Sequence, residues 1–219
     1  IDPSAGIVLN KKVGDYVKYN PGKFVNPTAT ISNYTGGTYS ATSNEANKFV
    51  KRKATSSFSN GTTCYFADDA ASSASGWRVL SVDANSGIVK LIHAGIPECY
   101  CHGSGITSSS AASTINSRIQ NYLDGNTAQS AAMLTKNEFN NMADSLKSTG
   151  VAYFVNDGSS AAQMSYVYTS GKLSNMATAR VCLGYRPVIT LKANVRVASG
   201  SGTQSSQYEL TMLERMQYN

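Results

Sequence analysis

Gly184-Tyr-Arg-Pro-Val-Ile-Thr-Leu191 is the stretch on which the reading of the fold turns. Its β-branched and aromatic residues ask for a strand, and Pro187 restricts where that strand sits. A proline nitrogen has no hydrogen to give to a ladder, so it belongs at a strand start, a bulge or an edge. Strand signals continue outward from it. Val195-Arg-Val197 follows, while Val151-Ala-Tyr-Phe-Val155 and Met164-Ser-Tyr-Val-Tyr168 precede it, joined through the turn Asn156-Asp-Gly158. Further upstream, Trp77-Arg-Val-Leu-Ser-Val82 and Ile88-Val-Lys-Leu-Ile92 flank the turn Asp83-Ala-Asn-Ser-Gly87 and make a hairpin. Trp77 and Val79 alternate with Leu80 and Val82, so both faces of the hairpin are apolar and it belongs inside a sheet rather than at its edge. Val13-Gly-Asp-Tyr-Val-Lys-Tyr19 alternates as a half-buried strand does and is ended by Asn20-Pro-Gly22.

Two helical patterns separate these strands. Ile115, Ile119, Tyr122 and Leu123 recur at helical spacing and are closed by Asp124-Gly-Asn126. Thr135 and Glu138 form a capping box, with Leu134 and Phe139 placed as its hydrophobic staple. Phe139, Met142, Ala143 and Leu146 then predict one apolar stripe running to a stop at Gly150. The fold class expected is α+β: a mixed or antiparallel sheet with two helices packed on one side. One domain is expected over 1–219, with an extended, loop-rich part at 1–70, the sheet-and-helix core at 71–210 and a tail at 211–219.

Composition narrows the function classes. Of the 219 residues 41% are hydrophobic, enough for a real core, yet only 15% are charged, against about 25% in typical domains. Ser, Thr, Asn and Gly therefore carry the surface, in runs such as Ser108-Ser-Ser110 and 199–206. Such surfaces suit proteins that face the outside or pack against copies of themselves. The net charge of +6 does not predict nucleic-acid binding, because the basic residues gather only at Lys48, Lys51, Arg52 and Lys53, around Phe49 and Val50. An anionic wall polymer or glycan is a better match for so mild a charge. No run approaches the ~20 apolar residues of a membrane span. Membrane contact is expected only through a segment removed from, or lying before, Ile1.

Cys64, Cys99, Cys101 and Cys182 permit three full pairings. Residues i and i+2 of an extended segment lie too far apart to be bridged, which leaves Cys64 joined to one of Cys99 and Cys101, and Cys182 to the other. Cystines place the chain outside the cytoplasm, extracellular or at the cell surface. Two other readings stand beside this one: a zinc site of Cys99, Cys101 and His102 with Cys64 or Cys182, and buried free thiols. Catalytic material is thin. His93 and His102 are the two histidines, and His102 beside Cys101 is the best nucleophile–base pair, although adjacent residues usually diverge. Asp68, Asp69 and Asp157 read as turn formers, since no calcium loop surrounds them. No cofactor, metal or catalytic residue is expected, and the protein is not expected to be an enzyme. Tyrosine is abundant, at thirteen residues. Tyr153, Tyr166 and Tyr185 read as strand packing, whereas Tyr34, Tyr39 and Tyr100, set among Gly, Ser and Asn, are the contact candidates.

The segment 184–195, followed by Gly200-Ser-Gly-Thr203 and Tyr208-Glu-Leu210, resembles the C-terminal signature of an uncharacterised domain family of Gram-positive bacteria. In that family a Gly-aromatic-or-aliphatic-Arg-Pro-Val strand precedes a Gly-x-Gly-Thr turn and a closing Tyr-x-Leu. Val13-Gly-Asp-Tyr-Val-Lys-Tyr19 and Trp77-Arg-Val-Leu-Ser-Val-Asp83 look like its opening and middle motifs. The family occurs in surface and secreted proteins, some with a pilin-like leader, and it is distantly similar to C-type-lectin-like folds. No Glu-Pro-Asn or Trp-Asn-Asp calcium motif of the sugar-binding lectins is present. The resemblance implies a bacterial cell-surface protein that self-associates as a pilin-like or filament subunit, or else an adhesin that binds glycan or host protein.

Overall fold

The structure, a computed structural model, describes residues 12–19, 29–31, 49–52, 76–102, 105–150, 152–168, 170–177 and 182–213. In chain order the first strands are β1 (Tyr16–Lys18), β2 (Ala29–Ile31), β3 (Phe49–Arg52), β4 (Trp77–Val82), β5 (Val89–His93), β6 (Cys99–Cys101) and β7 (Ala128–Met133). The last third adds β8 (Tyr153–Phe154), β9 (Met164–Val167), β10 (Leu173–Ala177), β11 (Cys182–Gly184), β12 (Pro187–Leu191), β13 (Val195–Ser199) and β14 (Tyr208–Met212). The helices are α1 (Ser108–Ile119), continued by a 3-10 turn at Gln120–Tyr122, α2 (Lys136–Asn141) and α3 (Asp144–Lys147).

These residues form a mixed α+β fold that is mostly sheet. Among the described residues one sheet runs β13-β14-β1-β4-β5-β12-β7 and a second runs β10-β9-β8-β11-β6-β3-β2. The β4–β5 hairpin pairs Trp77 with His93 and Val82 with Val89, and lies inside the first sheet as its two apolar faces require. β1 inserts between β4 and β14, parallel to the latter, so the amino-terminal strand is built into the core sheet. The β13–β14 turn carries Gly200 and Gly202 at positive φ, and a Cβ on Gly202 would stand 2.5 Å from the Tyr208 ring. The Gly-x-Gly spacing thus lets the chain fold back beneath the closing tyrosine.

The segment 184–191, read as one strand, is two. β11 lies in the second sheet and β12 in the first, and the chain crosses between them at Tyr185 and Arg186. Pro187 is the first residue of β12, a place where its missing N–H costs no ladder bond. Gly184 is required at the crossing because a Cβ there would stand 2.5 Å from Ile96 Cγ2.

Two apolar cores follow from strands buried on both faces. One holds Val79, Leu91 and Ile189 with Tyr100, Phe154 and Leu183, and receives Ala111, Ile115 and Ile119 of α1. The other holds Leu80, Ile92 and Val188 with Cys99, Cys101 and Tyr153, and receives Phe139, Met142 and Leu146 of the second helical segment. Successive residues of β4, β5 and β12 thus fall in different cores, and the helices pack against opposite faces rather than on one side. The capping box of Thr135 and Glu138 forms as its sequence predicts. The stripe beyond it does not continue as one helix. Met142 and Ala143 are extended, with ψ of 158° and 139°, and divide the segment into α2 and α3. Phe139, Met142 and Leu146 are buried all the same.

Candidate functional site

The largest concentration of chemistry among the described residues is a buried polar cluster between the sheets. Glu98 is 1% exposed and just precedes β6; Arg118 closes α1; Tyr185 sits at the sheet crossing. Arg118 grips the carboxylate with two parallel bonds, Nε to Oε1 at 2.5 Å and Nη2 to Oε2 at 2.9 Å. The Tyr185 hydroxyl donates to the same Oε1. Burial first, then the charge of Glu98, holds the Tyr185 hydroxyl well above its ordinary range, so it remains a donor. Arg118 also lies over the Phe49 ring, its guanidinium carbon 5.1 Å from the centroid. Tyr19 extends the cluster: its hydroxyl donates to the Tyr122 carbonyl at 2.5 Å and accepts from the Asp124 N–H at 2.6 Å. Its ring meets Trp77 edge-on at 5.0 Å. β1 is thereby fastened to the end of α1.

Arg186 forms a second knot. It is 1% exposed, and the groups that accept its hydrogen bonds are carbonyls and a phenol. Nε and Nη2 donate to the His93 carbonyl at 3.1 and 2.9 Å, while Nη1 donates to the Leu146 carbonyl at 2.6 Å and to the Tyr153 hydroxyl at 3.4 Å. One guanidinium therefore ties β5, α3 and β8 together at the crossing. Burial lowers its affinity for the proton, although it stays a cation. His93 is half-buried beside it, its ring edge-on to Trp77 at 5.1 Å and its Nδ1 accepting from Gly95 N–H at 3.1 Å. Burial, reinforced by the Arg186 charge, pushes the His93 pKa down to about 4, so the imidazole is neutral at physiological pH.

Chemically, both knots are closed. Each carboxylate oxygen of Glu98 already accepts from Arg118, and Arg186 is engaged by backbone, so neither offers a base or an acid to a substrate. Asp157 is closed in the same way. It accepts from Ser108 Oγ at 3.1 Å, Ser159 N–H at 2.9 Å and Ser165 Oγ at 2.7 Å. Burial works to raise its pKa, but these donors outweigh that and hold it below the usual carboxylate value. It fastens the start of α1 to the β8–β9 turn.

Cys99 and Cys101 are both disulfide-bonded, and among the described residues no cysteine is free. Their side chains share the second core, two residues apart on one strand, so each takes its partner from elsewhere. Cys182 in β11 lies opposite Cys101 in the ladder, while its side chain and all of Cys64 fall outside the described residues. A cystine sulfur has no thiolate to give a metal or an acyl group, which removes both the zinc reading and Cys101 as a nucleophile for His102. Among the described residues no group of three or more His, Cys, Asp or Glu could hold a metal ion.

Tyr100 is not a contact residue. Alternation along β6 turns it away from the cystines into the first core, where it is fully buried against Phe49 at 5.6 Å and Phe154 at 6.1 Å. Tyr34 and Tyr39 lie outside the described residues. Tyr153 and Tyr166 are buried in β8 and β9, as strand packing requires, while Tyr185 is buried at the crossing between strands. Phe49 of the basic stretch is buried in β3, an interior strand of the second sheet.

The surface supplies a different kind of feature. A groove of about 440 Å³ runs along α1, lined by Ser109, Ser113, Ser117, Asn116, Gln120 and Asn156 among others. Apart from Ala112, its side chains are neutral hydroxyls and amides, repeated at the four-residue spacing that lines one helix face. The serines read in the sequence as solubilising surface; only the placement of α1 beside the β8–β9 turn makes them a groove. Among the described residues no helix is long and apolar enough to cross a membrane. Comparison of the chain with protein-family models, curated proteins and solved structures returns no match.

Proposed function

We propose that the protein works outside the cytoplasm as a non-enzymatic bacterial cell-surface protein, a pilin-like subunit of an extracellular filament. The observation that carries this reading is the oxidation of both Cys99 and Cys101 in a fully buried strand. Such bonds persist in oxidising compartments and are rare in the cytosol. A low density of charged residues and a hydroxyl-rich surface add support, because copies of such a chain can meet through mostly neutral hydrogen-bonding groups. The closed state of Glu98, Arg186 and Asp157 agrees with a scaffold whose buried polar groups serve the fold. Electron microscopy of the native cell surface, with antibody labelling, tests the assignment. Labelled filaments are expected; surface protein that is monomeric under every condition would overturn it.

The groove along α1 favours a second reading, a glycan-binding module with a C-type-lectin-like ancestry. Neutral amides and hydroxyls match the donors and acceptors of an uncharged sugar. Binding on a glycan array that is abolished by Ser113→Trp supports it, and no retention of any glycan excludes it.

A further inference from the structure

We infer that Asn116 of α1 and Gln120 of the 3-10 turn that continues it close the outer edge of β7 by standing in for a neighbouring strand, and that this closure keeps a second copy of the chain from adding there. Among the described residues β7 ends the first sheet, with β12 on its inner side. An edge of this kind presents unpaired N–H and C=O groups to any passing strand. Here two of them are occupied. Met133 N–H donates to Asn116 Oδ1 at 2.8 Å, and the Ala131 carbonyl accepts from Gln120 Nε2 at 2.8 Å.

The pattern is that of a ladder. In a parallel pair, one residue of the incoming strand accepts from the N–H after its opposite number and donates to the carbonyl before it. Asn116 and Gln120 together supply that acceptor and that donor opposite Ala132. Beyond the end of β7, Asn156 forms a parallel bridge opposite Thr135, donating to the Leu134 carbonyl at 2.9 Å and accepting from Lys136 N–H at 2.8 Å. Gln120 is fixed for the task because its Nε2 also donates to the Asn116 carbonyl at 3.0 Å. The four-residue spacing puts both amides on one helix face, beside β7.

The strand itself explains why a cap is needed. Ala-Gln-Ser-Ala-Ala-Met is uncharged and holds no proline, so it lacks the edge residues that repel strand addition. The inference stands whether or not the chain forms filaments. If it does, the contacts lie on other surfaces.

The test compares the full chain with Asn116→Ala/Gln120→Ala and with Asn116→Asp, using residue-resolved amide exchange across a concentration series and sedimentation. Asn116→Asp keeps an acceptor for Met133 N–H and is expected to exchange that amide as slowly as the parent. The double variant is expected to exchange it about fivefold faster or more when dilute, to regain protection on concentration, and to associate beyond the parent. If the double variant does not fold, Gln120→Ala alone is expected to show the concentration-dependent protection at β7. Folded variants that lack the amides yet never associate through β7, or a parent Met133 amide that exchanges as if unbonded, would overturn the inference.

Discussion

Replacing Arg118 by Met takes the counter-ion from a carboxylate that has almost no access to water. Glu98 is 1% exposed on its side chain and Arg118 11%, so solvent cannot substitute for the lost guanidinium without opening the seam between α1 and β6. The carboxylate would keep the Tyr185 hydroxyl and lose both charge-assisted bonds. Breaking a buried pair from one side costs about 3–5 kcal/mol. That is a large part of the roughly 5–15 kcal/mol that holds a domain folded, and it lowers Tm by roughly 10 °C in a chain of this size. Equilibrium urea unfolding at neutral pH, with disulfides intact, measures it. The companion Glu98→Gln/Arg118→Met removes both charges and is expected to recover at least about 2 kcal/mol, since a neutral pair avoids the stranded ion. A loss below about 1 kcal/mol in Arg118→Met, or a double variant no better than the single, would refute the reasoning.

Other perturbations follow from the same geometry. His93 has a folded pKa near 4 against 6.5 for the free side chain; the unfolded chain binds a proton in that window and the folded protein does not. Stability is therefore fully present above pH 6.5 and falls by on the order of 3 kcal/mol as pH drops to about 4; His93→Gln should flatten that slope in urea titrations at stepped pH, and parallel curves would contradict it. Gly184→Ala drives a Cβ against Ile96 and should cost about 1–3 kcal/mol, partly restored by Ile96→Ala, with thermal melts as the readout. Thr135→Ala removes the cap of α2 and should cost about 1 kcal/mol, seen as a lower urea midpoint at unchanged slope.

Local signals were legible wherever one element's own residues decide its form. The β4–β5 hairpin, the Thr135–Glu138 box and Pro187 at a strand start depend on alternation, capping and a missing N–H, all of which neighbours in sequence supply. What could not be read depends on partners far along the chain. Nothing in 184–191 marks the change of sheet at Tyr185 and Arg186, because the two side chains are explained only by Glu98, His93 and Leu146. β7 has no strand signature because Ala, Gln and Ser carry little strand preference, and its edge is completed by side chains from a helix. Tyr100 looked like a surface ring among small residues, but the face it occupies is fixed by the cystines on either side of it. Glu98 is illegible in sequence for a similar reason: a single carboxylate shows its burial only when Arg118 is folded against it.

The proposed function outside the cytoplasm rests on an oxidised chain. Alkylation of native, unreduced protein under denaturing conditions, read by mass spectrometry, tests it most directly. The account predicts that no cysteine is labelled before reduction, and that all four are labelled after it. Labelling of Cys99 or Cys101 without reductant would contradict it.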